Sequence, residues 1–316
     1  MKMKEIGIEN VAPARLGKRR GAFTTLGMVL ALFLMLCSCI ERIDISTKAS
    51  LPQIVIYGSI TSDTTSHTIR ITRSAGYFST EKPQGVSHAE VTISDNDDTL
   101  FTLAEDPEIP GLYRTADHVF GVEGKRYTLN VSVDFKGNGT VEHYRAAATM
   151  PQAGVFDSIK LNPSKALPDH IEILVFAHLL SGHDNYYNTL VSLNHKPIND
   201  SLSRYQILDD KYITGNVLVA FPCYYLDQKE EHQKLRVGDT VTMRIDAIPK
   251  EYGTFVLNAQ SEIRGSIPFF GGPPANVVGN IEGMGETSKK SALGFFTAYS
   301  SVRQSTVVRE EDVDSM

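Results

Sequence analysis

Lys125-Arg-Tyr-Thr-Leu-Asn-Val-Ser-Val133, then Lys136-Gly-Asn-Gly139, then Glu142-His-Tyr-Arg-Ala-Ala-Ala148, decide the fold. Two runs rich in β-branched and aromatic residues flank a glycine-rich turn, the pattern of a β-hairpin. Upstream the same grammar repeats. Ala89-Glu-Val-Thr-Ile-Ser94 alternates, Asp95-Asn-Asp-Asp98 turns, and Thr99-Leu-Phe-Thr-Leu103 returns. His67-Thr-Ile-Arg-Ile-Thr-Arg73 places Ile69 and Ile71 on one face and Arg70 on the other. Ile54 to Ile60 is another β-rich run, and Gly111-Leu-Tyr-Arg114 a short one. Short strands at regular spacing with no helical period predict a β-sandwich over residues 51–150.

Met150-Pro151 closes that unit. Residues 151–308 read as a second β-rich, sandwich-like domain. Its strands are Ile171–His178, Tyr186–Leu193, Val217–Phe221, Thr240–Asp246 and, at the end, Ala292–Tyr299. One amphipathic helix is predicted near 249–264. Tyr252, Phe255, Val256, Ala259 and Ile263 fall on a single stripe, Pro249 suits its start and Gly265 its cap. Gly253 costs that helix about 1 kcal/mol. Residues 309–316 read as a charged, disordered tail. The fold class is therefore mainly β, two tandem sandwiches.

The N-terminus reads differently. Lys18, Arg19 and Arg20 precede an apolar run from Leu26 to Leu36. That run falls short of the ~20 apolar residues a membrane span needs, and has the length of a signal-peptide core. Leu36-Cys37-Ser38-Cys39 follows, which resembles the lipobox of bacterial lipoproteins. The resemblance implies that residues 1–38 are a signal peptide, that Cys39 is the acylated first residue of the mature chain, and that 39–50 are a tether. Two or more acyl chains anchor stably where one does not.

Residues 1–38 hold six of the 31 basic and two of the 37 acidic residues, which leaves the remaining 278 residues with 25 basic, 35 acidic and a net charge of −10. Such a surface disfavours nucleic acid, whose binding needs clustered Lys and Arg, and disfavours electrostatic adhesion to anionic lipid. Attachment to a membrane then falls to acyl chains. With Cys39 lipidated, Cys223 is alone and reads as a small core residue.

Catalytic signatures are missing from the sequence. The nine histidines make no i, i+4 pair with a glutamate and there is no cysteine pair, so no metal and no cofactor are expected. His183-Asp184 reads as a loop. Asp95-Asn-Asp-Asp98 has calcium-loop composition but lacks the glycine and distant glutamate of an EF-hand, so it reads as a hairpin turn. No Gly-x-Ser-x-Gly elbow occurs, and Gly271-Gly272 is followed by no Gly-Lys-Ser/Thr. Tyr186-Tyr187, Tyr224-Tyr225 and Phe269-Phe270 read as packing aromatics, with a sugar- or peptide-stacking surface the alternative. The Gly/Pro-rich loop around Phe269, Phe270, Pro273, Pro274, Asn276 and Asn280 reads as a structural plug, with partner contact the alternative.

Several stretches in order carry a family resemblance. They are Gly58-Ser-Ile-Thr-Ser, Ile69 to Phe78, Gly85-Val-Ser-His-Ala-Glu-Val-Thr-Ile, Pro110-Gly-Leu-Tyr113 and Gly124-Lys-Arg-Tyr-Thr-Leu129. Met150-Pro151 with Asp157-Ser158-Ile159 follows, then Pro273-Pro-Ala-Asn-Val-Val-Gly-Asn280 and Leu293-Gly-Phe-Phe-Thr-Ala298. Together they resemble the Bacteroidota lipoprotein family of the domain of unknown function four-two-four-nine. The resemblance implies a lipoprotein of the outer membrane, on its periplasmic or cell-surface face, associated with a TonB-dependent transporter, and no catalytic residues. Gly85 to Leu129 also resembles carboxypeptidase regulatory-like (transthyretin-like) sandwiches, which carries fold and not function. A structural or adhesive surface lipoprotein is the alternative role, and accessibility to protease on intact cells separates the two.

Overall fold

The computed structural model describes residues 52–75, 82–97, 99–180, 185–213, 217–264, 277–286, 288 and 291–313. It is mainly β. The first strands are β1 (Ile54–Thr61), β2 (Thr68–Arg73), β3 (Glu90–Ser94), β4 (Leu100–Glu105), β5 (Leu112–Arg114), β6 (Arg126–Val133) and β7 (Glu142–Thr149). Next come β8 (Val155–Pro163), β9 (His170–His178), β10 (Tyr186–Leu193), β11 (Lys196–Pro197), β12 (Gln206–Asp209), β13 (Val217–Asp227) and β14 (Thr240–Ile248). Helix α1 (Lys250–Arg264), β15 (Glu282–Met284), β16 (Leu293–Val307) and a terminal turn of helix, α2 (Glu310–Val313), finish the chain.

The expected hairpin is β6–β7, paired from Arg126↔Thr149 to Val133↔Glu142. Its alternation puts Tyr127, Leu129, Val131 and Val133 into the core, facing Tyr144, Ala146 and Ala148. Asp134 makes the turn, its carboxylate accepting from Asn138 N at 3.1 Å and Gly139 N at 2.8 Å. Tyr127 fixes the entry to β6, its hydroxyl accepting from Val122 N at 2.7 Å, a tyrosine bonded to the backbone a few residues upstream as in sandwich corners. Each fully buried Ile, Leu or Val stabilises by about 1.5–3 kcal/mol, and Ile56, Ile60, Ile69, Ile71, Val91 and Ile93 are all fully buried here.

One long sheet runs β11-β10-β14-β16-β1-β2-β5-β4-β3-β6-β7-β15, with β12 paired to β10. It folds over on itself to enclose the first core. A separate sheet, β13-β9-β8, packs over β10, β14 and the second half of β16 to make the second core, which includes Ile171, Ile173, Val175, Val191, Val241 and Met243.

The last strand departs from two domains contiguous in sequence. β16 pairs in parallel with β1, Val55↔Leu293 to Thr61↔Tyr299, then antiparallel with β14, Ala247↔Ser300 to Thr240↔Val307. β15 pairs with β7. β15 and residues 293–299 of β16 therefore complete the first sandwich, although they lie beyond the expected boundary at 150/151. The cause is a strand long enough to serve both cores, with its partner changing at Tyr299/Ser300.

Helix α1 confirms the amphipathic expectation, with one change of face. Tyr252, Phe255 and Val256 are buried, yet Ile263 is 59% exposed and Gln260 is buried instead. Gln260 Nε2 donates to Leu202 O at 2.9 Å and Tyr205 O at 2.7 Å, so satisfying two carbonyls outweighs the stripe. Gly253 is explained by contact, since a Cβ there would stand 2.6 Å from the Tyr186 ring. Residues 310–313 of the tail form the helical turn α2. Arg309 N donates to Asp312 Oδ2 at 2.8 Å and Val313 packs against the second core, which holds a segment expected to be disordered. Among the described residues no helix is long and apolar enough to cross a membrane.

Candidate functional site

Of the residues singled out by sequence, Cys39, Phe269, Phe270, Pro273, Pro274 and Asn276 lie outside the described residues, as do His183 and Asp184. Asn280 is described, and it is a backbone lock. Its Oδ1 accepts from Phe296 N at 2.9 Å and its Nδ2 donates to Phe296 O at 2.8 Å, with Ala147 O at 3.4 Å. The carboxamide thus acts as one residue of a missing strand between β7 and β16. Gly279 and Gly294 let the chain come that close. A Cβ on Gly279 would meet Gly294 O at 1.8 Å, and Gly294, at φ +99°, would drive a Cβ to 2.1 Å from Ile56 O.

Two further resemblance motifs, those at Gly85 and at Pro110–Tyr113, are also packing devices. A Cβ on Gly85 would meet Pro110 O at 2.0 Å, and Gly111, at φ +77°, lies against Ile71 O and Gly85. Tyr113 Oη donates to Val86 O and accepts from Ala89 N, both at 2.9 Å. Glu105 accepts from Gly111 N at 2.9 Å and His88 N at 3.0 Å, and hydrogen bonds hold its carboxyl below the usual range against the opposing cost of burial.

The calcium-like turn is a hairpin turn. Asp95 Oδ1 accepts from Asp97 N and Thr99 N, each at 2.9 Å, and its Oδ2 from Lys125 Nζ at 2.8 Å. Burial opposes ionisation of Asp95, and these bonds overcome it and lower its pKa. Among the described residues no three His, Cys, Asp or Glu are grouped to hold a metal. Cys223, in β13, packs at the edge of the second core, and burial pushes its thiol up to about 12. A neutral thiol there is a packing group. Tyr186 and Tyr187 are buried and Tyr224 packs against the second core, so these three rings are packing groups.

Two features were not visible in sequence. The first lies under α1. Tyr57 and Tyr252 hydroxyls are 2.7 Å apart, and Phe255 and Phe295 rings lie 4.9 Å apart. Beside them Asp246 is 1% exposed. Its carboxylate accepts from Ser301 Oγ at 2.6 Å and from an Arg244 guanidinium nitrogen at 3.0 Å. Burial raises the Asp246 pKa, opposed by Arg244 and Ser301, and burial also pushes Tyr299 up to about 12. The Ser301 hydroxyl is spent as a donor to Asp246, so it is not an activated nucleophile, and the group is a buried ion pair in which Arg244 Nε makes no hydrogen bond.

The second is a groove of about 420 Å³ on the outer face of β6, β7 and β15. Arg126, Thr128, Arg145, Ala146, Ala147, Asn280, Glu282 and Met284 line it. That volume is in the range of small-molecule sites. Thr128 faces Ala147 in register, so small side chains floor it between two arginines.

A family model described as a domain of unknown function, DUF4249, matches residues 40–305. The chain belongs to the DUF4249 family. No curated protein matches it. In this DUF4249 chain the matched span covers the first core, all of the second but Val308 among its buried residues, Asn280 and the groove, and it begins one residue after Cys39.

Proposed function

We propose that this chain is a lipid-anchored accessory or binding protein of the cell envelope. It is held at the outer membrane through Cys39, works beside a TonB-dependent transporter and carries out no catalysis. The observation that carries the reading is the order Lys18-Arg19-Arg20, apolar Leu26–Leu36, then Leu36-Cys37-Ser38-Cys39. A net charge of −10 after residue 38 leaves hydrophobic anchoring as the means of attachment. Carboxylates such as Asp95, Glu105 and Asp134 are occupied by backbone amides, and the concavity over β6, β7 and β15 is large enough for a small ligand.

The transporter partner is tested by crosslinking native membranes and purifying the tagged chain. The expected result is co-purification of a TonB-dependent outer-membrane barrel. Recovery of the chain as a lone monomer contradicts the accessory role.

A further inference from the structure

We propose that the groove over β6, β7 and β15 binds a small organic oxyanion, a phosphate ester or a carboxylate, clamped between Arg126 and Arg145. The inference rests on the binding-module reading and is independent of the anchor. Arg145 stands opposite Asn130 of β6. Arg126 is four residues from that position, about 13 Å along the strand and about 5 Å across to the next one. Both side chains line the concavity, with Thr128 and Ala147 paired on the strands between them.

Both guanidinium groups are without an ion pair or a hydrogen bond among the described residues, unlike Arg73, Arg114, Arg236, Arg244 and Arg303. A guanidinium offers a planar fork of donors that matches the two oxygens of a carboxylate or phosphate. Thr128 adds a hydroxyl between the forks, and Met284 supplies an apolar wall for the organic part. Two cations without an ion pair among the described residues line one concavity, on a chain with 35 acidic and 25 basic residues after residue 38. Glu282, opposite Arg145 on β15, is the carboxylate among the lining residues. It sets the sign test, because removing its charge must favour an anion.

The test is calorimetric titration of the full chain in non-ionic detergent. The probes are glycerol 1-phosphate, dihexanoyl phosphatidylglycerol below its micellar concentration, and glycerol as the uncharged control. The phosphate probes bind and glycerol does not. Arg126→Gln or Arg145→Gln weakens binding roughly tenfold, as loss of a charged hydrogen-bond partner does, with the melting temperature unchanged. Glu282→Gln tightens binding, and added salt weakens it. Preference for the diacyl probe assigns the ligand to a lipid headgroup, and equal affinity assigns it to a soluble ester. Absence of binding up to about 10 mM, weaker than the millimolar end of the affinity scale, overturns the proposal, as does binding that survives the double arginine substitution. If the phosphate probes fail while the transporter still crosslinks, the oxyanion is lost and the accessory role stands.

Discussion

His67 shows how burial fixes a single side chain. It is 3% exposed, just before β2. Its Nδ1 accepts from Thr61 N at 3.4 Å, so Nε2 carries the proton and donates to Val119 O at 3.1 Å. Burial disfavours the imidazolium and lowers the pKa below its usual value, with the Val119 carbonyl and Asp63 opposing. The folded chain therefore binds fewer protons than the unfolded chain below pH ~6.5. The stability from neutral His67 is present above that pH and is lost as pH falls through the lowered folded value. Melting temperatures between pH 7.5 and 5 should fall more steeply in the wild type than in His67→Gln. Equal slopes contradict this. The lowered carboxyls of Asp95 and Glu105 act at lower pH, and Asp246 is common to both proteins, so neither mimics the difference. None of this was legible in the sequence, where His67 reads only as the start of an alternating run. Its partners, Thr61 and Val119, are supplied by other strands and loops.

Elements were legible where the pattern is local. The β6–β7 hairpin and α1 follow from alternation, turn residues and an apolar stripe. β16 was legible only as far as Tyr299, because Ser300-Ser301-Val302-Arg303-Gln304-Ser305 has no strong apolar alternation and is held extended by β14. The segment from Val277 to Ile281 was legible as a special loop, but its action depends on Phe296 and Ala147, which sequence does not place beside it. There Asn280 joins β7 to β16 without a strand of its own. Asn280→Ala removes both partners of the Phe296 backbone, and leaving such groups unpaired costs about 1–3 kcal/mol. Thermal melting should drop by roughly 3–10 °C for a chain of this size. An unchanged melting temperature contradicts the lock and returns Asn280 to the role of partner contact.

At the scale of the molecule, two hydrophobic cores were legible and their sharing of one sheet was not. Which strand β16 pairs with is decided by contacts more than 200 residues apart in sequence, between Leu293 and Val55 for example. The result is a single sheet whose continuity ties the groove face of the first sandwich to the second core through one strand. The groove itself was invisible because Arg126, Arg145 and Glu282 look like ordinary outward positions until their strands are paired. On the proposed function, Cys39 is what ties this body to a membrane. Metabolic labelling with an alkyne analogue of palmitate, in wild type and in Cys39→Ser, measures it directly. Label is expected on the wild type, and a Cys39→Ser chain is expected to be unlabelled and released from the membrane fraction. Label that persists on the Cys39→Ser chain contradicts it.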